Sequence, residues 1–380
     1  PRRGPRFAVE GAVAALVAAV LATLATRHPG LRFVDLIGFS TRARHLGERL
    51  VDPLYPVGYP AVLAAARALG LDVLVAAKAL AVAAGAGAAF AAGVLVGPGG
   101  AAWMAAQAGA LAWGITEGTD LPAAALALGG IAAANARRPG LAGLLVGLAC
   151  MVRYTAIAAV PVVLALAPSS WRTLLVAVAP HFVLAALTGA SPIPDQSMNL
   201  EIGAGRPTPL FSLDTLLRWP GGFARALRDA LPDGPTAVSA VGLLVGLRDR
   251  RARALLAWAL LHCAAVALAF SNQRLVLPAQ LAFALGAVWL VPARFRGLLA
   301  VAALPLLAWN AHLLWSPERR HAELATVAEA AAAYDGPFLS NSPWFYVRRD
   351  GWVVGSTQLS GLGDPRGLTP ERLADRLRAT

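Results

Sequence analysis

The sequence predicts an all-α polytopic membrane protein of about eleven transmembrane helices, followed by a small α/β domain outside the membrane. Three observations predict it. Of 380 residues, 57% are hydrophobic and only 14% charged, against roughly half and roughly a quarter in soluble domains, and mean hydropathy is +0.60. The apolar residues form long blocks between short polar islands. Blocks such as 7–25 and 73–96 are long enough, at about 1.5 Å per residue, to cross a hydrocarbon core of about 30 Å. The basic residues lie in the islands, in the pattern the positive-inside rule produces, except that Arg42, Arg44 and Arg49 make the first outer loop basic against it. The net charge of +12 therefore forms no single stripe, and a nucleic-acid binder is excluded.

All 33 basic residues except Lys78 are arginine. With the heavy use of alanine, this bias reads as a GC-rich bacterial genome and places the chain in a bacterial inner (cytoplasmic) membrane. Cys150 and Cys263 fall inside apolar blocks and read as small buried hydrophobes, with no disulfide or metal spacing.

The basic start, Arg2, Arg3 and Arg6, puts the N-terminus in the cytoplasm, and span one covers 7–25. Residues 27–72 form a long outer loop, in which 60–69 is apolar but short and reads as an interfacial helix. Span two is 73–96, span three 101–115 and span four 121–135, returning to Arg137 and Arg138 inside. Spans five and six, 141–152 and 155–167, meet at an outer turn with Arg153 and Tyr154. Span seven is 173–187, and a second outer loop covers 189–235. Span eight is 236–247, before the arginine-rich turn 248–253 inside. Spans nine, ten and eleven are 255–270, 275–291 and 298–314. The transmembrane domain is thus 1–315, and 316–380 is the small extracytoplasmic domain, with a helix over 317–333, short strands at 337–340 and 352–354, and a final helix over 369–378.

Four polar features share the outer face: Asp35 after span one, Glu117 and Asp120 between spans three and four, Arg153 and Tyr154 between spans five and six, and Arg274 between spans nine and ten. Carboxylates facing arginines at one membrane surface can bind a phosphate and accept a proton. Each position also has a plainer reading. Asp35 is a loop carboxylate, Glu117 and Asp120 cap a helix, and Arg153 and Arg274 are snorkelling anchors. Lys78, near the outer end of span two, reads as snorkelling. Trp113, Trp219, Trp315 and Trp344 read as interfacial aromatics, and His181 and His262 as interhelical hydrogen-bonding residues.

The order of these features resembles the GT-C glycosyltransferases, the polytopic class that includes protein O-mannosyltransferases and lipid A aminoarabinose transferases. Asp35 stands where that class carries an acidic residue in the first outer loop. Tyr55-Pro56-Val57-Gly58-Tyr59-Pro60 resembles its Tyr-Pro-Pro-Gly-Tyr-Pro stretch, with Val57 in place of the second proline. Thr119-Asp120, Arg153-Tyr154-Thr155, Arg274-Leu275-Val276-Leu277-Pro278 and Leu339-Ser340-Asn341-Ser342-Pro343 resemble its later motifs. The resemblance implies a polyprenyl-phosphate sugar donor presented from the membrane lipids, a glycan, lipid or protein acceptor, and inverting transfer at the outer face. It implies Asp35 as the base and Arg274 with Arg153 on the donor phosphate. Glu117, Asp120 and Tyr154 would orient acceptor or sugar. Tyr55 and Tyr59 would stack on the sugar, and Asp195, Gln196, Asn199, Glu201 and Arg206 of the second outer loop would cover the acceptor groove. The resemblance fixes no cofactor and leaves metal dependence open; a divalent cation, in members that use one, would sit on Asp120 and Glu117. A secondary transporter and a non-catalytic subunit of an envelope glycan assembly complex are the other readings.

Overall fold

A computed structural model describes residues 4–28, 35–44, 46, 56–189, 212–268 and 273–315. The expected α/β domain at 316–380 lies outside them. The described residues form helices joined by short turns, with no β-strand among them. In chain order the helices are α1 (Gly4–Arg27), α2 (Asp35–Arg44), α3 (Gly58–Ala68), α4 (Val73–Val96), α5 (Pro98–Ala105), α6 (Ala108–Gly114), α7 (Asp120–Asn135) and α8 (Pro139–Val152). A 3-10 segment, Tyr154–Ala159, leads into α9 (Val160–Leu166), and α10 (Trp171–Thr188) follows. The rest are α11 (Leu213–Asp229), α12 (Gly234–Val245), α13 (Arg250–Ala267), α14 (Leu277–Leu285), α15 (Ala287–Leu290) and α16 (Leu298–Trp315).

Among the described residues four helices are long and apolar enough to cross a membrane: Ala8–Arg27, Val73–Val96, Pro168–Thr188 and Leu298–Trp315. Their surroundings differ. The apolar window of 73–96 is 56% buried, against 17%, 11% and 17% for the other three. Helix α4 is therefore the centre of the bundle, and the others show apolar side chains such as Leu16, Leu175, Val176, Val301 and Leu304 to the outside. An outward apolar surface on this scale is what hydrocarbon surroundings select. Apolar packing inside the bundle rests on small residues. Ala77, Ala81, Ala88, Ala89 and Ala92 of α4 are fully buried, which lets α1, α5 and α7 approach its backbone closely.

The sequence-predicted spans and the helices differ in instructive places. Span three is split between α5 and α6 at Ala106 and Gln107. The break frees backbone carbonyls, and one of them, Ala106 O, accepts from Asn310 Nδ2 at 2.8 Å. Gln107 is buried there, donating to Trp103 O at 3.0 Å and accepting from Thr236 Oγ1 at 3.3 Å. Span ten is likewise split between α14 and α15 at Gly286. The predicted spans near 141–152 and 236–247 are helices of 14 and 12 residues, about 21 and 18 Å long. Both predicted outer loops contain helix: α2 and α3 in the first, α11 in the second.

One end of the bundle is held by a charged cluster. Asp249, at the N-cap of α13, accepts from Arg251 N at 2.9 Å, Arg251 Nη2 at 2.8 Å and Trp289 Nε1 at 3.2 Å. Arg251 Nη1 also donates to Leu95 O, near the end of α4, at 3.2 Å. Burial works to raise the Asp249 carboxyl. The hydrogen bonds and charge of Arg251, with the Trp289 indole, outweigh it and hold the group below the usual carboxylate value. Lys78 is 17 residues before Leu95 on the same helix, so the two ends of α4 bearing them are about 25 Å apart.

Candidate functional site

The site at the Lys78 end begins with the α7–α8 pair. Asp120 is the first residue of α7 and Arg153 directly follows α8. The two helices run antiparallel through a turn at 136–138, so both residues lie at one end. Arg153 takes an extended backbone, φ −154 and ψ 126, between α8 and the 3-10 segment. Its guanidinium reaches back across the start of α7, with Nη1 2.8 Å from Thr119 Oγ1 and 3.1 Å from Asp120 Oδ1. The start of a helix also favours a carboxylate through its dipole.

Arg274 comes from the turn before α14. Its Nε lies 3.9 Å from the other carboxylate oxygen, Asp120 Oδ2. The carbonyls on either side of Arg274 are fixed from inside the bundle. Gln280 Nε2 donates to Gln273 O at 3.0 Å, and His262 Nε2 bonds Leu275 O at 2.8 Å. The latter needs the tautomer with a proton on Nε2. His262, expected to bond another helix, bonds a carbonyl of the turn before α14 instead.

Glu117 and Lys78 complete the cluster. Glu117 is fully buried, and its Oε2 is 3.6 Å from Lys78 Nζ. Lys78 is itself only 9% exposed, so it does not snorkel to water: it faces a carboxylate. Its signal in the sequence was visible as the single lysine of the chain, inside an apolar block. Thr119, read in the sequence only as part of the Thr119-Asp120 pair and given no role there, supplies a hydroxyl to Arg153.

The Tyr-Pro-x-Gly-Tyr-Pro stretch has a structural explanation. A Cβ on Gly58 would lie 2.5 Å from the Met151 carbonyl oxygen. Only glycine lets the start of α3 sit against the end of α8, two residues from Arg153. Tyr59 follows it into the interior at 2% exposure. Its ring meets Phe39 of α2 edge-on, with centroids 5.1 Å apart. Tyr59 therefore offers no open face to a sugar, which corrects the stacking expected of it. Burial first, then the nearby Glu117 carboxylate, raise its phenol above the usual tyrosine value, while the Gly118 N–H acts in the opposite direction. Tyr154 is half-buried, its ring edge-on to His181 with centroids 6.0 Å apart.

The backbone of Asp35 opens α2, and its neighbour Leu36 is buried in one cluster with Tyr59 and Ala77. The Asp35 side chain lies outside the described residues, as do Tyr55 and the loop residues Asp195, Gln196, Asn199, Glu201 and Arg206.

The structure thus brings Glu117, Asp120, Arg153 and Arg274 together, adds Lys78 and Thr119, and places Tyr59 beside them. Among the described residues the cluster counts three cations and two carboxylates, with each carboxylate facing a cation. This arrangement can hold an anion between preset guanidinium groups. Among the described residues no group of three or more His, Cys, Asp or Glu side chains is placed to hold a metal. No family model, curated protein or solved structure matches the chain.

Proposed function

We propose that this chain is an inverting glycosyltransferase. It moves a sugar from a polyprenyl-phosphate donor to an acceptor hydroxyl at the outer face of a bacterial inner membrane. The observation that carries the reading is the convergence of Arg153 and Arg274 on one buried carboxylate, Asp120, at the end of a bundle of apolar helices. A lipid-borne phosphate meets protein at such a rim, with its chain in hydrocarbon and its headgroup at the interface. A guanidinium fork matches two phosphate oxygens, and Asp120 orients both forks before a donor arrives.

In the proposed reaction Asp35 accepts the proton of the acceptor hydroxyl. The hydroxyl oxygen forms its bond to the anomeric carbon as the bond from that carbon to the phosphate oxygen breaks. The lipid phosphate leaves with the electron pair, and the growing charge is stabilised by Arg153 and Arg274. Attack opposite the leaving group inverts the anomeric centre. Glu117 holds Lys78 beside this site, and Asp120 and Tyr154 frame the acceptor side. A divalent ion on Asp120 and Glu117 does not fit well, since Lys78, Arg153 and Arg274 already face those carboxylates; no step is routed through one.

The topology belongs to the same proposal: about eleven spans, a cytoplasmic N-terminus and an extracytoplasmic C-terminal domain. The arginine-rich turn beside Asp249 and the acid–base cluster occupy opposite ends of α4, which supports an inner basic end and an outer site. The broken helices α5–α6 and α14–α15 are compatible with spanning because a bundle can satisfy the freed backbone groups.

The test is transfer of radiolabelled sugar by the purified protein in detergent from a panel of polyprenyl-phosphate sugars. Wild type is run beside Asp35→Asn and Asp120→Asn, each shown to be folded. Transfer or donor hydrolysis by wild type and its loss in Asp35→Asn is the expected result. Activity surviving in Asp35→Asn removes Asp35 as the base. Inactivity of folded wild type across all donors and acceptors counts against the enzyme. A secondary transporter is the second reading, favoured by the helix break at Gln107, since transport sites use interrupted helices. That break carries an amide and no charge, and the charges sit at the helix ends. Ion-driven uptake into proteoliposomes by an Asp35→Asn protein without transferase activity would establish it.

A further inference from the structure

Helix α11 presents three faces. The first packs on the protein: Thr215, Gly222 and Ala226 are buried, and Trp219 Nε1 donates to Ala264 O at 3.1 Å. A Cβ on Gly222 would lie 2.6 Å from Ala267 O, so this face is pressed against the last turn of α13. The second face is polar. Asp214, Arg218, Arg225 and Asp229 follow at spacings of four, seven and four residues, which sets them on one stripe of a helix. Asp214 pairs with Arg218. The third face is Leu213, Leu216, Leu217 and Pro220, again at spacings of three and four. Those leucines are 71%, 67% and 70% exposed.

A soluble loop helix does not leave three neighbouring leucines in water, since each exposed leucine forgoes about 1.5–3 kcal/mol of burial. Arg225, nine residues from Leu216, lies on the opposite side of the helix from the stripe, while Arg228, eleven residues from Leu217, lies along its edge. On α12, Val238, Val241, Leu244 and Val245 are likewise more than half exposed. Ser212 at the N-cap accepts from Thr215 N at 3.1 Å and fixes where the helix begins.

We propose that α11 lies in the interface of an anionic bilayer. Leu213, Leu216 and Leu217 enter the acyl region, and Arg225 and Arg228 reach the lipid phosphates. The first, second and third faces then meet protein, headgroups and hydrocarbon respectively, the arrangement of an interfacial amphipathic helix. Arg228 extends to 76% exposure while touching Asp229 at 3.3 Å, so its guanidinium is available to a phosphate. This contrasts with the second outer loop as an aqueous cover over an acceptor groove, and it holds whichever reaction the cluster performs.

The experiment uses the full chain in nanodiscs, with Cys150 and Cys263 replaced by alanine and a nitroxide placed at Leu217→Cys or Arg225→Cys. Each labelled protein is first shown to unfold at the temperature of its parent. Power saturation with oxygen and with a polar nickel chelate reads depth. The expected result is oxygen accessibility exceeding nickel accessibility at 217 and the reverse at 225. Replacing phosphatidylcholine with a mixture containing phosphatidylglycerol is expected to deepen the 217 label, and an Arg225→Gln/Arg228→Gln background to remove that difference. A 217 label as open to nickel as to oxygen puts the face in water and overturns the proposal. A 217 label closed to both reagents means that protein, not lipid, covers the face, and overturns it too. Depth that ignores lipid charge overturns the part assigned to the two arginines.

Discussion

Neutralising Asp120 tests the centre of the site most directly. Asp120→Asn keeps the shape of the side chain and removes its charge. At an effective dielectric of about 20, unit charges 3.1 and 3.9 Å apart attract by about 5 and about 4 kcal/mol. Desolvation of a carboxylate only 3% exposed offsets much of that, and removing one partner of a buried pair costs about 3–5 kcal/mol in total. Arg153 and Arg274 retain 17% and 18% exposure, so water partly solvates them once the carboxylate is gone. The lower end, about 3 kcal/mol, is therefore expected. At roughly 2 °C per kcal/mol for a long chain, the melting temperature falls by about 6 °C. The assay is tryptophan-detected thermal unfolding in detergent, run as two double-mutant cycles with Arg153→Gln and Arg274→Gln. The shorter distance, and the added hydrogen bond to Thr119, make the Arg153 cycle the more strongly coupled. Additivity in both cycles, with coupling below about 0.5 kcal/mol, would refute the reasoning, because it would mean that the carboxylate and the two guanidiniums do not interact in the folded protein.

Three further outcomes follow from the packing. Gly58→Ala forces a Cβ to within 2.5 Å of the Met151 carbonyl, so α3 must shift away from α8; a loss of about 1–3 kcal/mol and faster proteolysis at 56–60 are expected, and an unchanged melting temperature would contradict the close approach. Asn310→Leu removes the donor to Ala106 O and leaves a buried carbonyl at the helix break, at a cost of about 1–3 kcal/mol, measured by the same unfolding assay. Asp249 has a folded value below its unfolded one, so its stabilisation is present above the unfolded value near pH 4 and is lost as pH falls through the folded value. The acid limb of a stability–pH profile should therefore flatten in Asp249→Asn, and an identical limb would show that the carboxylate is not held by Arg251.

The membrane character of the chain was legible from the sequence because it depends on long-range composition and block length alone. Helix α4 matches the predicted 73–96 to the residue, since Asp72 caps its start, accepting from Val75 N, and a glycine and proline follow its end. Glu117, Asp120, Arg153 and Arg274 stood out as charged residues at the ends of apolar blocks, a local property. Their order along the chain said that they share a side; it did not say which cation meets which carboxylate. That was decided by the antiparallel α7–α8 pair and by the turn that Gln280 and His262 hold around Arg274. Lys78 was misjudged for the same reason. Snorkelling and ion pairing look alike in one dimension, and only the arrival of Glu117 from the α6–α7 connection distinguishes them. The resemblance gave Tyr59 a sugar to stack on, yet Phe39 from the preceding helix α2 covers its ring. The breaks at Gln107 and Gly286 were hidden inside continuous apolar blocks, because an apolar run reports that a segment is buried or lipid-facing and not that its helix is unbroken. Periodicity and composition thus determined that helices form and that they suit a membrane. Which side chains meet, and where a helix can open because another supplies an amide to its carbonyl, was decided by tertiary contact.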